Sequence, residues 1–249
     1  MQFNRNFKSP NYSPRQLPIK YIIMHYTEMS FEDAFHRLID SKAQVSSHYL
    51  IRSDGEIFNL VDDEKIAWHA GDSCWYGQEK LNQNSIGIEL DNLGKGEFSK
   101  EQIESCLNLC LYLKRRYKLP SQNFIGHSDV APARKIDPGL YFNWQHFAKN
   151  DLGVWHNLAL PERDEVKFFY GDSGDEIYVL QNSLQYIGYN MTLTGKFDDS
   201  TNYVVRSFQA KYAPKIIIQK GIDFYFEQGS KYEWTEFSQA ILQKLLSIL

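Results

Sequence analysis

The spacing of apolar residues changes along the chain, and the changes divide it into elements. Residues 20–27 read KYIIMHYT, a β-branched and aromatic run that predicts a strand with His25 near its end. Ser30 is placed to cap FEDAFHRLI, whose Phe31, Phe35, Leu38 and Ile39 share one helical face. In SSHYLIRSDGEIFNLV, two strand-type runs flank Ser53, Asp54 and Gly55, and the Asp-Gly step predicts a hairpin. AWHAGDSCWYG (67–77) is expected to be a loop. NSIGIELDN (84–92) alternates, with Ile86, Ile88 and Leu90 on one face and Gly87, Glu89 and Asp91 on the other. The clearest helix is SKEQIESCLNLCLYLKRRY. Ser99 and Gln102 fit a capping box, and Ile103, Cys106, Leu107, Cys110, Leu111 and Tyr117 form a stripe. Leu119-Pro120 stops it, and NFIGH is a short strand ending at His127. Residues 1–18, with two Ser-Pro pairs, read as an extended, weakly structured lead-in.

Strands interleaved with helices predict the α/β class, with a mixed central β-sheet flanked by helices. FNWQHF is expected as a closing helix and GVWHNLALPERDE as a linker, which divides the chain into residues 1–170 and 171–249. The second part carries three amphipathic patterns, marked by Ile177, Leu180 and Leu184, by Val204, Phe208 and Tyr212, and by the closing WTEFSQAILQKLLSIL. It reads as a small three-helix module. Residues 215–229, KIIIQKGIDFYFEQG, are β-rich and fit no helix of that module; an insertion or a small hairpin is expected.

The length of 249 residues suits one large domain or a medium one plus a small one. A net charge of -4 speaks against nucleic acid or an anionic membrane as partner. No run of 18 apolar residues exists, so no membrane span is expected. The N-terminus lacks the apolar region of a signal peptide. That leaves a cytoplasmic protein, another export route, or a chain that begins after a removed leader. Cys74, Cys106 and Cys110 are expected to be free thiols. Aromatic residues at 15% are enough for a sugar-stacking groove as well as a filled core.

The densest chemistry lies in GHSDVAPARKIDPG, residues 126–139. His127 and Asp137 are potential metal ligands, and Lys135 stands two positions before the carboxylate. A catalytic zinc takes three protein ligands and leaves one position open. His25 and His127 both end predicted strands, and strand ends on one sheet edge converge. Asp137 precedes Pro138, which biases it to extended backbone. Glu89 is a lone acid in an otherwise apolar strand, where a charge is costly without a partner or a task. A base at Glu89 and a cation at Lys135 would complete a hydrolytic site. No short-spaced zinc motif is present, so the residues alone also allow a structural ion pair at Glu89 and a surface lysine at Lys135.

IIMHYT, VSSHYLIRSDGEIFNLV, AWHAGDSCWYG, NSIGIELDN and GHSDVAPARKIDPG, in that order, resemble the type 2 amidase family of N-acetylmuramoyl-L-alanine amidases, related to peptidoglycan recognition proteins. The resemblance covers about residues 20–147, and residues 175–249 resemble a peptidoglycan-binding module more loosely. It implies one zinc ion per chain held by His25, His127 and Asp137. It also implies Glu89 as acid/base and Lys135 as stabiliser of the tetrahedral intermediate. The implied reaction is hydrolysis of the amide between N-acetylmuramic acid and L-alanine in peptidoglycan or muropeptides. His69, Trp68 and Arg134 are expected at the substrate; packing for Trp68 and a solvated loop position for Arg134 are the other readings. An inactive peptidoglycan-binding receptor and a cytoplasmic anhydro-muropeptide recycling amidase remain as alternatives. A monomer in the cell envelope or periplasm is expected, with the cytoplasm open because no signal peptide is visible.

Overall fold

The computed structural model describes residues 2–249. Strand β1 (Tyr12–Pro14) leads to β2 (Tyr21–Tyr26), helix α1 (Phe31–Ile39) and the β3 (Tyr49–Ile51)–β4 (Ile57–Asn59) hairpin. Next come β5 (Lys65–Ala67), a short hairpin of β6 (Cys74–Trp75) and β7 (Gln78–Glu79), β8 (Ser85–Leu90) and helix α2 (Lys100–Tyr117). Strand β9 (Phe124–Gly126) runs directly into α3 (His127–Val130), and α4 (Trp144–Lys149) follows.

The central sheet has five strands in the order β4-β3-β8-β2-β9. Strands β3, β8, β2 and β9 are parallel neighbours, and only β4 runs against them. Their near-continuous apolar sequence is what a parallel sheet covered on both faces requires. Alternation sorts the side chains. Ile22, Met24, Ile86, Ile88, Leu90 and Phe124 pack with Cys106, Cys110 and Leu113 of α2. Tyr21, Ile23 and Ile125 join a second cluster, which continues through Trp75 and Tyr189 to Phe208, Trp234 and Leu242. The C-terminal helices therefore share a core with the sheet instead of standing apart from it.

Ser99 caps α2 by accepting from Gln102 N, but the Gln102 side chain does not return the bond as a capping box would. It donates to the carbonyls of Ile51 and Asp91 and ties the helix to the sheet. The lead-in is extended as expected, yet it is firmly held. Strand β1 pairs with β5, Ser9 bonds the Leu38 carbonyl, and Arg15 donates to the carbonyls of Asp63, Lys65, Gln83 and Ser85.

After β10 (Val166–Phe168), the C-terminal part consists of α5 (Asp175–Tyr186), α6 (Asp199–Tyr212), α7 (Pro214–Lys220), α8 (Ile222–Phe226), β11 (Trp234–Thr235) and α9 (Glu236–Leu246). Residues 215–229 are thus mainly helical, not the hairpin their β-branched residues suggested. Pro214 starts α7, where its missing N–H costs nothing, and buried Ile216 and Ile217 hold the turn against the core. No helix among the described residues is long and apolar enough to cross a membrane, and the three cysteines are free and buried.

A buried ion pair joins the two parts. Lys211 Nζ lies 2.6 Å from Asp129 Oδ2, with the two side chains 6% and 1% exposed. Asp129 also accepts from Gly126 N at 2.8 Å and from the Tyr189 hydroxyl at 2.9 Å. Removing one partner of such a pair leaves a buried charge uncompensated. Lys211→Met is expected to cost about 3 kcal/mol in urea denaturation; a loss below about 0.5 kcal/mol would show that the pair is dispensable.

Candidate metal centre

The parallel register delivers the site. His25 of β2 lies beside Glu89 of β8, and Met24 lies beside Gly126 of β9, so His127 emerges at the same sheet edge. The turn after α3 then returns Asp137, whose carbonyl accepts from Ser128 N at 2.8 Å. His25 Nδ1 is 2.9 Å from His127 Nδ1 and 3.1 Å from Asp137 Oδ2. His127 Nδ1 is 3.0 Å from the same oxygen. All three residues are buried.

The protons on these rings follow from the surrounding bonds. The Ser85 hydroxyl, 2.6 Å from the Leu81 carbonyl, must donate its single proton there. It can then only accept from His69 Nε2, at 3.2 Å. Neutral His69 therefore presents a bare Nδ1 to His25 Nε2, 3.0 Å away, and that nitrogen must carry the proton. His127 Nε2 likewise donates to the Ala70 carbonyl at 3.2 Å. With both rings neutral, as metal ligation requires, both Nδ1 atoms are bare lone pairs facing an ionised carboxylate. Three acceptors within 3.1 Å of one another, with no proton to share, are repulsive unless a cation sits among them. Two imidazoles and one carboxylate suit a divalent transition metal with an open position.

Electrostatics agrees. Burial first, and then the neighbouring His127, depress His25 to about 4, so the ring is neutral at pH 7. Burial also holds His69 well below its ordinary value. It would raise the Asp137 carboxyl, but the neighbouring His127 and His25 rings outweigh it and hold the group well below the usual carboxylate range. Glu89 moves the other way. Burial and the Asp137 charge push it well above its ordinary value, with Lys135 opposing. Its Oε2 is shielded from solvent and makes no hydrogen bond.

His25, Glu89, His127, Lys135 and Asp137 open onto one cleft of about 770 Å³. The Lys135 ammonium makes no hydrogen bond or ion pair among the described residues and is free to face a ligand. Arg134 lines the same cleft and donates to the carbonyls of Ala70, at 3.0 Å, and Asp72. His69 is buried beside His25 and also lines the cleft. Trp68 is half-buried, with its indole nitrogen on Ser13 Oγ at 3.0 Å, and is not among the residues lining the cleft. Trp75 packs into the core against Gly188 and Tyr189.

Ser85, and the part Gly87 plays, were not foreseen. A Cβ on Gly87 would lie 2.4 Å from the His69 ring, so only glycine lets that ring rest on β8. A lone glycine inside an apolar strand is the signal that could have marked this close approach. His48 holds the same glycine. Its Nδ1 accepts from Gly87 N at 3.0 Å, and burial with the nearby Arg15 charge depresses it to about 3.

Residues 15–140 match the N-acetylmuramoyl-L-alanine amidase family, and residues 173–216 match a putative peptidoglycan binding domain. Over 167 residues the chain is 38% identical to N-acetylmuramoyl-L-alanine amidase AmiD of Escherichia coli, covering 61% of this chain but 58% of that protein. The chain thus spans less than two thirds of that relative. It is 34% identical over 164 residues to 1,6-anhydro-N-acetylmuramyl-L-alanine amidase AmpD of Haemophilus influenzae, covering 57% of this chain and 89% of the relative. Among solved structures, E. coli AmiD in complex with anhydro-N-acetylmuramic acid-L-Ala-D-gamma-Glu-L-Lys aligns with a TM-score of 0.72 at 29% identity, covering 92% of this chain and 89% of that one. AmpDH3 of Pseudomonas aeruginosa aligns with a TM-score of 0.72 at 25% identity, covering 100% and 98%.

Two outcomes are expected. His69→Phe removes the acceptor that orients His25 and should weaken metal binding about 10- to 100-fold in a chelator competition; unchanged affinity would remove His69 from the site. His25 and His48 titrate in the folded protein at about 4 and about 3, below the ordinary 6.5. The unfolded chain therefore binds more protons in that interval. Metal-free protein should be most stable above about pH 6.5 and lose stability as pH falls towards 4. A flat unfolding free energy across that range would contradict buried neutral histidines.

Proposed function

The chain belongs to the N-acetylmuramoyl-L-alanine amidase family, and we propose that it is a zinc-dependent hydrolase of the amide between N-acetylmuramic acid and L-alanine in peptidoglycan or muropeptides. The observation that carries this reading is the meeting of three proton-free donors with an acid of raised pKa and a free cation in one cleft. His25 and His127 would hold zinc through Nδ1, and Asp137 through its carboxylate. When bound, zinc supplies Lewis-acid polarisation of the amide carbonyl and an acidified water.

The chain's own groups do the rest. Glu89 takes the proton of the water that attacks the lactyl carbonyl carbon, and it delivers a proton to the alanine nitrogen as the C–N bond breaks. A carboxyl with a raised pKa suits both halves of that exchange. Lys135 places its ammonium at the oxygen on which charge develops. The products are the muramyl carboxylate and a stem peptide with a free amino terminus. The anhydro-muropeptide ligand of the AmiD complex makes that class the first substrate to try. The peptidoglycan-binding match at residues 173–216 supports action at the cell wall.

Glu89→Gln should retain the metal and lose about 10²- to 10⁴-fold in turnover, measured as release of alanine-terminated stem peptide by mass spectrometry. Near-normal turnover would exclude Glu89 as the proton carrier. Release of any other fragment by the unmodified protein would redirect the assignment to another bond.

A further inference from the structure

We propose that the C-terminal helical module is a working part of this site, with Arg206 and Tyr225 as positioning residues for the loop that carries Lys135 and Asp137. The inference rests on the amidase reading above and extends it to residues outside the 15–140 match.

The loop between α3 and Asp137 satisfies only part of its backbone internally. Ala131 accepts from the N–H groups of Arg134 and Lys135. The carbonyls of Pro132, Lys135 and Ile136 instead meet the C-terminal module. Arg206 Nη2 lies 2.5 Å from Pro132 O and 3.3 Å from Lys135 O. The Tyr225 hydroxyl donates to Ile136 O at 2.7 Å. Ser207 Oγ holds Ser128 O at 2.8 Å, one residue after His127.

Position in the chain gives these bonds their significance. The Lys135 and Ile136 carbonyls belong to the two peptide planes between the Lys135 and Asp137 side chains. Fixing both planes fixes the separation between a candidate ligand and a candidate oxyanion stabiliser, and catalysis tolerates errors of only about 1 Å there. Tyr225 is 2% exposed, and its hydroxyl is committed to the Ile136 carbonyl. It comes from α8, beyond the 173–216 peptidoglycan-binding match, and residues 225–229 also line the cleft. Residues 215–229 also pack Ile216, Ile217 and Tyr225 into the shared core. Their folded form carries a hydroxyl to the catalytic loop.

The test compares Tyr225→Phe with Tyr232→Phe in the full chain. Tyr232 lies in the same module, buried, with a hydroxyl that has no partner. Tyr225→Phe is expected to lower kcat on a small muropeptide about five-fold or more, with KM within about two-fold, and Tyr232→Phe to change neither. In metal-free protein, amide exchange in peptides spanning 131–137 should accelerate in Tyr225→Phe alone, while α2 peptides stay protected in both variants. Arg206→Lys keeps the charge but loses the planar guanidinium that sets Nη2 between the two carbonyls, and should show the same local acceleration. Wild-type kcat and exchange in both Tyr225→Phe and Arg206→Lys would overturn the proposal, as would acceleration spread evenly over the whole chain. An inactive unmodified protein would sink the amidase reading, while the exchange comparison would still decide the brace.

Discussion

Three proton-free donors held 2.9–3.1 Å apart in a buried pocket need a cation, and much of the surrounding structure keeps them in that state. The decisive proton is remote. Ser85 gives its hydrogen to Leu81, which settles the tautomer of His69, which settles the tautomer of His25. A water or a differently bonded serine at that position would let His25 turn a proton towards its partners. Gly87 permits the arrangement sterically, and burial keeps His25 and His69 neutral.

The second half of the site depends on the other end of the chain. Asp129 follows His127 by two residues and is satisfied by Gly126, Tyr189 and Lys211 together. Arg206 and Tyr225 take the carbonyls of the next turn. The catalytic loop therefore lies between a parallel sheet, which supplies His25 and Glu89, and a helical module that meets its polar backbone. A continuous apolar core runs beneath both.

What was legible in the sequence had one physical origin: side chains whose burial demands a period. Strands β2 and β8, the hairpin at Asp54-Gly55, and α2 all declared themselves that way. Strand-end histidines and a stiff Asp-Pro corner pointed to His25, His127 and Asp137, and the structure brings these three together. The lead-in was misjudged as weakly structured because Ser9, Asn11 and Arg15 look the same in sequence whether they bond water or buried carbonyls. Residues 215–229 were misjudged because Ile216, Ile217 and Ile218 favour strands locally, and tertiary packing overrode that preference. The tautomer chain through His69 and Ser85, and the brace from Arg206 and Tyr225, join residues far apart in sequence. Neither leaves a periodic trace.

The most direct test of the account follows metal and chemistry in the same sample. Metal-free protein is titrated with zinc while bound zinc and the release of alanine-terminated stem peptide from a muropeptide are measured together. The account predicts that release rises in proportion to bound zinc and saturates at one ion per chain. Full release before any zinc is bound, or zinc binding at this stoichiometry with no cleavage of the amide, would contradict it.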